Sequence, residues 1–245
     1  MDIKKTPLIY SESNIICAGD PIIDIWQPDI QRPGGAWNVY DNIRFFTNTA
    51  IPVFPSESWL SYPFNLDQNV AIEKIYNCYL PLTFSLKAPT VVLSDYNKGF
   101  LSKSKVTIEA DVLVVDSKYA TLPSFLFENS KLKILKISDL DLKCPIFLSK
   151  FDYTIVTHQS YETLVYHKNS LLFEVPTIRV PETCPVGAGD VFLAALSFYL
   201  HTTSQKYLEK FIYNAVRNAA YCASLTVTQP YTCNLNFIKD TNVHN

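Results

Sequence analysis

The segment Pro185-Val186-Gly187-Ala188-Gly189-Asp190 runs directly into the apolar stretch 191–200, the pattern of a tight turn feeding a helix with a carboxylate in its first turn. Such an end attracts anions. Free backbone N–H groups and the positive end of the helix dipole favour negative charge, above all on a phosphoryl group gathering charge during transfer. Gly187, Ala188 and Gly189 would then form an anion hole. Asp190 beside them would accept the proton of an attacking hydroxyl, with the helix end helping to keep that carboxyl ionised. The same residues also suit a plain structural role, in which Gly-Ala-Gly lets the helix pack closely and Asp190 stabilises its start.

A second group lies in the first forty residues. Ala18-Gly19-Asp20 reads as a strand end followed by a second carboxylate, Asp24, and Gly34-Gly35-Ala36-Trp37-Asn38 reads as a glycine pair opening a helix. Asp24 and Asn38 offer acceptors and a donor to sugar hydroxyls, while Gly34 and Gly35 allow close backbone approach. For Asp20 an ordinary cap at a solvated turn is an equal reading. The chain holds six glycines, against roughly 17 at average usage, so each of them marks a bend or a close approach. None of them builds G-x-x-x-x-G-K or G-x-G-x-x-G, and no G-x-S-x-G is present. The four histidines, His158, His167, His201 and His244, lack metal-ligand spacing.

Elements must hold these groups in place. Short β-branched runs at 14–18, 90–93, 112–115, 133–137 and 153–156 predict strands. Polar residues follow each run: Asp20, Ser94-Asp95, Asp116, Ser138-Asp139 and Thr157. Helices are predicted over 36–47, 67–79, 124–129, 189–200 and 205–224, and the Pro- and Ser-rich stretch 52–63 as a loop. Apolar strands alternating with helices point to a parallel sheet covered on both faces, with ligands outside the carboxyl ends of the strands. The pattern gives one domain over 13–239 with tails at 1–12 and 240–245.

Composition narrows the partners. The 245 residues include 21 Lys+Arg and 23 Asp+Glu, a net charge of −2, which argues against nucleic acid and anionic membrane surfaces. With 48% hydrophobic and 18% charged residues the chain is expected to collapse into a globule. Six cysteines without a C-x-x-C pair, and a start lacking an apolar signal core, point to reduced thiols and a cytoplasmic setting. No apolar run approaches membrane-spanning length.

Taken in order, the motifs resemble those of the ribokinase-like (PfkB) carbohydrate kinases. Gly34-Gly35-Ala36-Trp37-Asn38 is similar to the family's G-G-x-x-N stretch, and residues 187–190 match its G-A-G-D box. Ser94-Asp95-Tyr96-Asn97-Lys98-Gly99 resembles the S-D-Y-x-K-G of the branch that phosphorylates heptose 7-phosphate, and Asp116-Ser117-Lys118 its D-P-K. The stretch Ala215-Val216-Arg217-Asn218-Ala219-Ala220 is similar to the helix after the G-A-G-D helix. The resemblance implies a three-layer α/β/α sandwich with a mostly parallel sheet and Mg2+-ATP as phosphoryl donor. Asp190 would be the general base and Gly187, Ala188 and Gly189 the anion hole. Asp24, Gly34, Gly35, Asn38 and Asp95 would bind the substrate, with Lys98 a candidate for its phosphate. Ser138, Asp141, Thr157 and Asn218 would face the nucleotide, with Asp141 reaching a metal through water. The partners implied are a sugar or sugar phosphate, a nucleotide and a second copy in a homodimer.

The departures from the family lie mainly on the nucleotide side. Cys184-Pro185-Val186 precede the G-A-G-D box, Ser138 and Asp141 stand at the N-x-x-E positions, and Gln159 and Glu162 replace glycines. Short links at 27–33 and 45–90 imply a β lid that is reduced or absent. A second reading is therefore a weak or inactive relative that binds sugar phosphate or nucleotide, or serves as an assembly partner.

Overall fold

The predicted strand runs line up in one sheet whose polar strand ends share an edge. The computed structural model describes residues 8–27, 30–54, 59–61, 72–74, 83–103, 105–118, 129–141, 150–202 and 208–237. In chain order the first elements are β1 (Leu8–Tyr10), β2 (Ile15–Gly19), β3 (Pro21–Gln27), β4 (Ile30–Gly34), α1 (Gly35–Phe46), β5 (Ile51–Val53), β6 (Trp59–Ser61) and β7 (Ile72–Lys74). They are followed by β8 (Thr83–Asp95), α2 (Phe100–Lys103), β9 (Lys105–Ser117), β10 (Asn129–Ser138) and β11 (Tyr153–Thr157). β12 (Thr163–His167), β13 (Ser170–Val175), α3 (Ala188–His201) and α4 (Leu208–Thr226) complete the described elements.

The central sheet has the order β13-β12-β11-β10-β9-β8-β2-β5, with β1 paired to the first half of β8. All neighbours from β11 to β5 pair in parallel, while β12 and β13 run antiparallel at one edge. Successive side chains point to opposite faces of a sheet, and the core divides accordingly. Ile15, Cys17, Val92, Val114, Ile134 and Ile155 pack with α1, α3 and α4. Ile16, Leu93, Leu113, Val115 and Leu135 pack on the other face with Phe100 and Leu101 of α2 and with Phe151. The expected α/β architecture, a mostly parallel sheet between two covered faces, is therefore present.

Three expectations change. β8 and β9 are 13 residues long each, because their first halves alternate buried and exposed side chains and only the last halves are apolar throughout. The helix predicted over 67–79 is overturned at Ile72–Lys74, which form β7, and strands occupy both ends of the stretch read as a loop. Beside the central sheet, where a reduced or absent lid was expected, there is a separate sheet of order β4-β3-β6-β7, two of whose strands have three residues each among the described residues. The helix predicted at 124–129 falls outside the described residues but for Asn129, which opens β10.

Register aligns the strand ends. Gly19 pairs with Ser94, Ser94 with Asp116, Asp95 with Ser117, and Ser138 with Thr157. Gly19 is held at φ +148, and a Cβ there would stand 1.9 Å from the Ser94 carbonyl oxygen, so only glycine lets β2 turn away at this edge. Among the described residues no helix is long and apolar enough to cross a membrane.

Candidate active site

α3 begins at the carboxyl edge of the sheet. Gly187 caps it in the left-handed region at φ +84, which glycine adopts without a steric penalty. The amides of Ala188 and Asp190 close onto the carbonyls of Pro185 (3.1 Å) and Gly187 (3.0 Å). Gly187 and Gly189 therefore carry the amides that can meet an anion, and Ala188 does not, which corrects the three-residue hole expected from the sequence.

Asp190 is 3% exposed. Tyr96 Oη donates to its Oδ1 at 2.7 Å, and Asn38 Nδ2 donates to its Oδ2 at 3.1 Å. Burial pushes the Asp190 carboxyl up to about 7, with the Tyr96 and Asn38 hydrogen bonds pulling it back. The helix end thus does not keep it freely ionised; desolvation outweighs the dipole.

The first-forty-residue group converges on the same place, but from inside. Asn38 is fully buried, its Nδ2 shared between Asp190 and the Cys233 carbonyl, and its Oδ1 accepting from Asn42 and Asn234. Asn234 also donates to Asp41 at 2.7 Å, and Leu235 N–H donates to Asn42 at 2.7 Å, which ties 234–235 to α1. Asp24 is 5% exposed and accepts from Thr232 Oγ1 at 2.7 Å, while Thr232 accepts from Trp26 Nε1. A Cβ on Gly34 would lie 2.8 Å from both Asp24 oxygens, and one on Gly35 would lie 2.7 Å from the Asp20 carbonyl. Asp24, Gly34, Gly35 and Asn38 are therefore brought together beside Asp190 in a packed network, where sequence reasoning expected them open to a sugar.

Asp20 is neither a solvated cap nor a ligand group. Its buried carboxyl accepts the N–H groups of Tyr96, Lys98 and Phe100, each at 3.0 Å, and so shapes the loop after β8. Asp95, 1% exposed, accepts from Ser117 Oγ at 2.8 Å. Burial and the charge of Asp20 push Asp95 up to about 7. Asp95 thus lies beneath the loop that carries Tyr96, while Lys98 sits half-buried on it.

The basic side of the site comes from strands. Lys136 of β10 is 3% exposed and pairs with Asp116 of β9 at 2.6 Å. Its Nζ lies 3.0 Å from the position of a Cβ on Gly189. Lys118 pairs with Asp141, and its Nζ stands 5.8 Å from the centre of the Tyr96 ring. Sequence reasoning missed Tyr96, Thr232 and Lys136 as site residues. Tyr96 did stand in the Ser94–Gly99 stretch singled out in the sequence, but no role was read for its side chain; Lys136 is one of three lysines in β10 and left no distinct signal.

Of the residues expected to face a nucleotide, Ser138 Oγ donates to Asp139 at 3.2 Å and Thr157 Oγ1 to the Ile137 carbonyl at 3.4 Å. Asn218 is half-buried on α4, and among the described residues no hydrogen bond joins it to Asp190 or its partners. Gln159 takes φ +49, in the left-handed region that favours glycine. A resident divalent cation fits poorly at Asp141. Its carboxylate is taken by the Lys118 ammonium, and among the described residues no three His, Cys, Asp or Glu side chains converge.

No family model matches the chain, and no curated protein matches it in sequence. Solved structures do match. The ribokinase of Giardia lamblia aligns with a TM-score of 0.62 at 12% identity, over 94% of this chain and 99% of that one. The fold is ribokinase-like. The fructokinase of Xylella fastidiosa with bound ATP aligns with a TM-score of 0.61 at 15% identity, over 94% of this chain and 99% of that one. The aminoimidazole riboside kinase of Salmonella enterica, complexed with aminoimidazole riboside and an ATP analog, gives 0.57 at 14% identity, over 89% and 94%. At these identities the likeness is one of fold, and within the ribokinase-like fold the Asp190 cluster stands where a parallel sheet receives its ligands.

Proposed function

We propose that the chain transfers a phosphoryl group from ATP to a hydroxyl of a sugar or sugar phosphate, an acceptor of the heptose 7-phosphate class being the first to test. The observation that carries this reading is the Asp190 carboxyl in the first turn of α3, bonded to Tyr96 and Asn38 beside the open amides of Gly187 and Gly189. ATP supplies the activated phosphoryl group. The chain's own residues do the rest: Asp190 takes the proton of the attacking hydroxyl, and the two amides face the charge that gathers in transfer. Lys136 adds fixed positive charge next to Gly189. Ser138 and Thr157, neighbours in register, belong to the nucleotide side, and Lys98 to a substrate phosphate. A homodimer belongs to the same reading.

Calorimetry or thermal shift with ATP and ADP, each with and without Mg2+, and with a panel of sugar phosphates tests this directly. Binding of ATP at millimolar concentration or tighter is expected, and none at all removes the kinase reading. Asp190→Asn is expected to lower kcat by about 10²–10⁴-fold with nucleotide affinity nearly unchanged. A normal rate in that variant shows that the base is misassigned.

The Lys118–Asp141 pair favours a second reading, a relative that binds nucleotide or sugar phosphate without turnover, since it occupies the carboxylate expected to reach a metal. Tight binding of ATP together with no transfer to any sugar of the panel selects it.

A further inference from the structure

Both oxygens of Asp190 are engaged by the chain itself, one by the Asn38 amide and the other by the Tyr96 phenol. A general base must lie within hydrogen-bond reach of the proton it removes. Asp190 is 3% exposed, so a hydroxyl that reaches Oδ1 has to move what is packed on it, and the phenol is the group hydrogen-bonded there. The phenol is firmly held there. The Tyr96, Lys98 and Phe100 amides all end on the buried Asp20 carboxyl, so the loop is pinned beneath the ring.

We propose that Tyr96 is a positioning residue that occupies the acceptor's place on Asp190 until a substrate hydroxyl displaces it, and so denies the base to water. This rests on the kinase reading above. A phenol offers one O–H to the carboxylate, the same bond a sugar alcohol offers. Burial and the charges of Asp190, Asp116 and Asp24 hold the Tyr96 phenol well above its usual range, so it keeps its proton and does not itself attack a phosphoryl group. A sugar brings further contacts with which to displace an intramolecular bond; a lone water does not.

The test is Tyr96→Phe, which keeps the ring and removes the hydroxyl. Release of inorganic phosphate from ATP without sugar is expected to rise about tenfold or more, with nucleotide affinity unchanged by calorimetry. The acid limb of sugar phosphorylation should also move to higher pH, because a hydrogen bond favouring the ionised carboxyl is lost. Unchanged hydrolysis overturns the proposal, even where the pH profile moves. Should wild-type protein bind no nucleotide, the kinase reading fails separately, and the pH dependence of denaturant midpoints decides the role of Tyr96. The titratable and charged groups around Asp190 are Tyr96, Asp116, Lys136, Lys118, Asp24, Cys17 and Cys233. Tyr96→Phe is expected to steepen the loss of stability above neutral pH, and Asp190→Asn to remove that portion of the loss. A Tyr96→Phe curve parallel to wild type overturns the proposal in that setting.

Discussion

Two forces compete at Asp190, and their sizes decide between them. A helix N-terminus favours a nearby carboxylate by about 0.3–1 kcal/mol at exposed sites, less than one unit of pKa. Burial carries this group from its ordinary 3.8 to about 7. The sign for stability follows: a carboxyl raised on folding stabilises fully below its unfolded value, and that contribution is lost as pH rises through about 7. Asp95, also raised to about 7, adds to the same decline. Denaturant midpoints measured against pH should therefore fall from mildly acidic to mildly alkaline conditions, with a shallower slope in Asp190→Asn. On the proposed kinase reading activity has the opposite slope, since Asp190 would act as base only when ionised, and kcat/KM is expected to rise with pH through about 7. Residue type and spacing made Asp190, Gly187 and Gly189 legible in the sequence. Tyr96 stood in a motif, but its bond to Asp190 was not legible, and neither was Lys136, because each reaches the site through a pairing with distant chain: Lys136 meets Asp116 only in the register that β9 and β10 adopt.

At the scale of elements, the loop after β8 depends on one side chain. Removing the Asp20 carboxyl leaves three amides without their acceptor in a buried place, at a cost of about 3 kcal/mol or more. Asp20→Ala is expected to lower the denaturant midpoint and to speed hydrogen exchange at the amides of Tyr96, Lys98 and Phe100. Unchanged exchange at those three positions would mean that the loop has another anchor. Periodicity found the strands whose side chains are apolar throughout, as at 112–115, because both faces are covered there. It missed the alternating first halves of β8 and β9, and took 67–79 for a helix although 72–74 pair with β6. Such short strands in a small sheet owe their form to their neighbours more than to local pattern.

Across the whole molecule, the site joins regions far apart in the chain. Asn38 on α1 meets Asn234 near the other end, and Asp24 of β3 meets Thr232. Asn234→Ala removes donors to both Asn38 and Asp41, so it is expected to cost about 1–3 kcal/mol in unfolding experiments. It should lower kcat as well, through the freed Asn38 amide that orients Asp190. A variant with wild-type stability would place the 232–236 segment outside the cooperative core. That segment carries no recognisable motif, which is why a reading of motifs could find Asp190 and the glycines without finding what holds them.

The lateness of Thr232 and Asn234 in the chain has a consequence during synthesis. A nascent polypeptide that has reached α3 already contains both glycine motifs and Asp190, yet Asn38 and Asp24 still lack the partners that fix them. The surroundings of Asp190 therefore come into alignment only when a stretch with no recognisable motif leaves the ribosome and folds back onto the first helix.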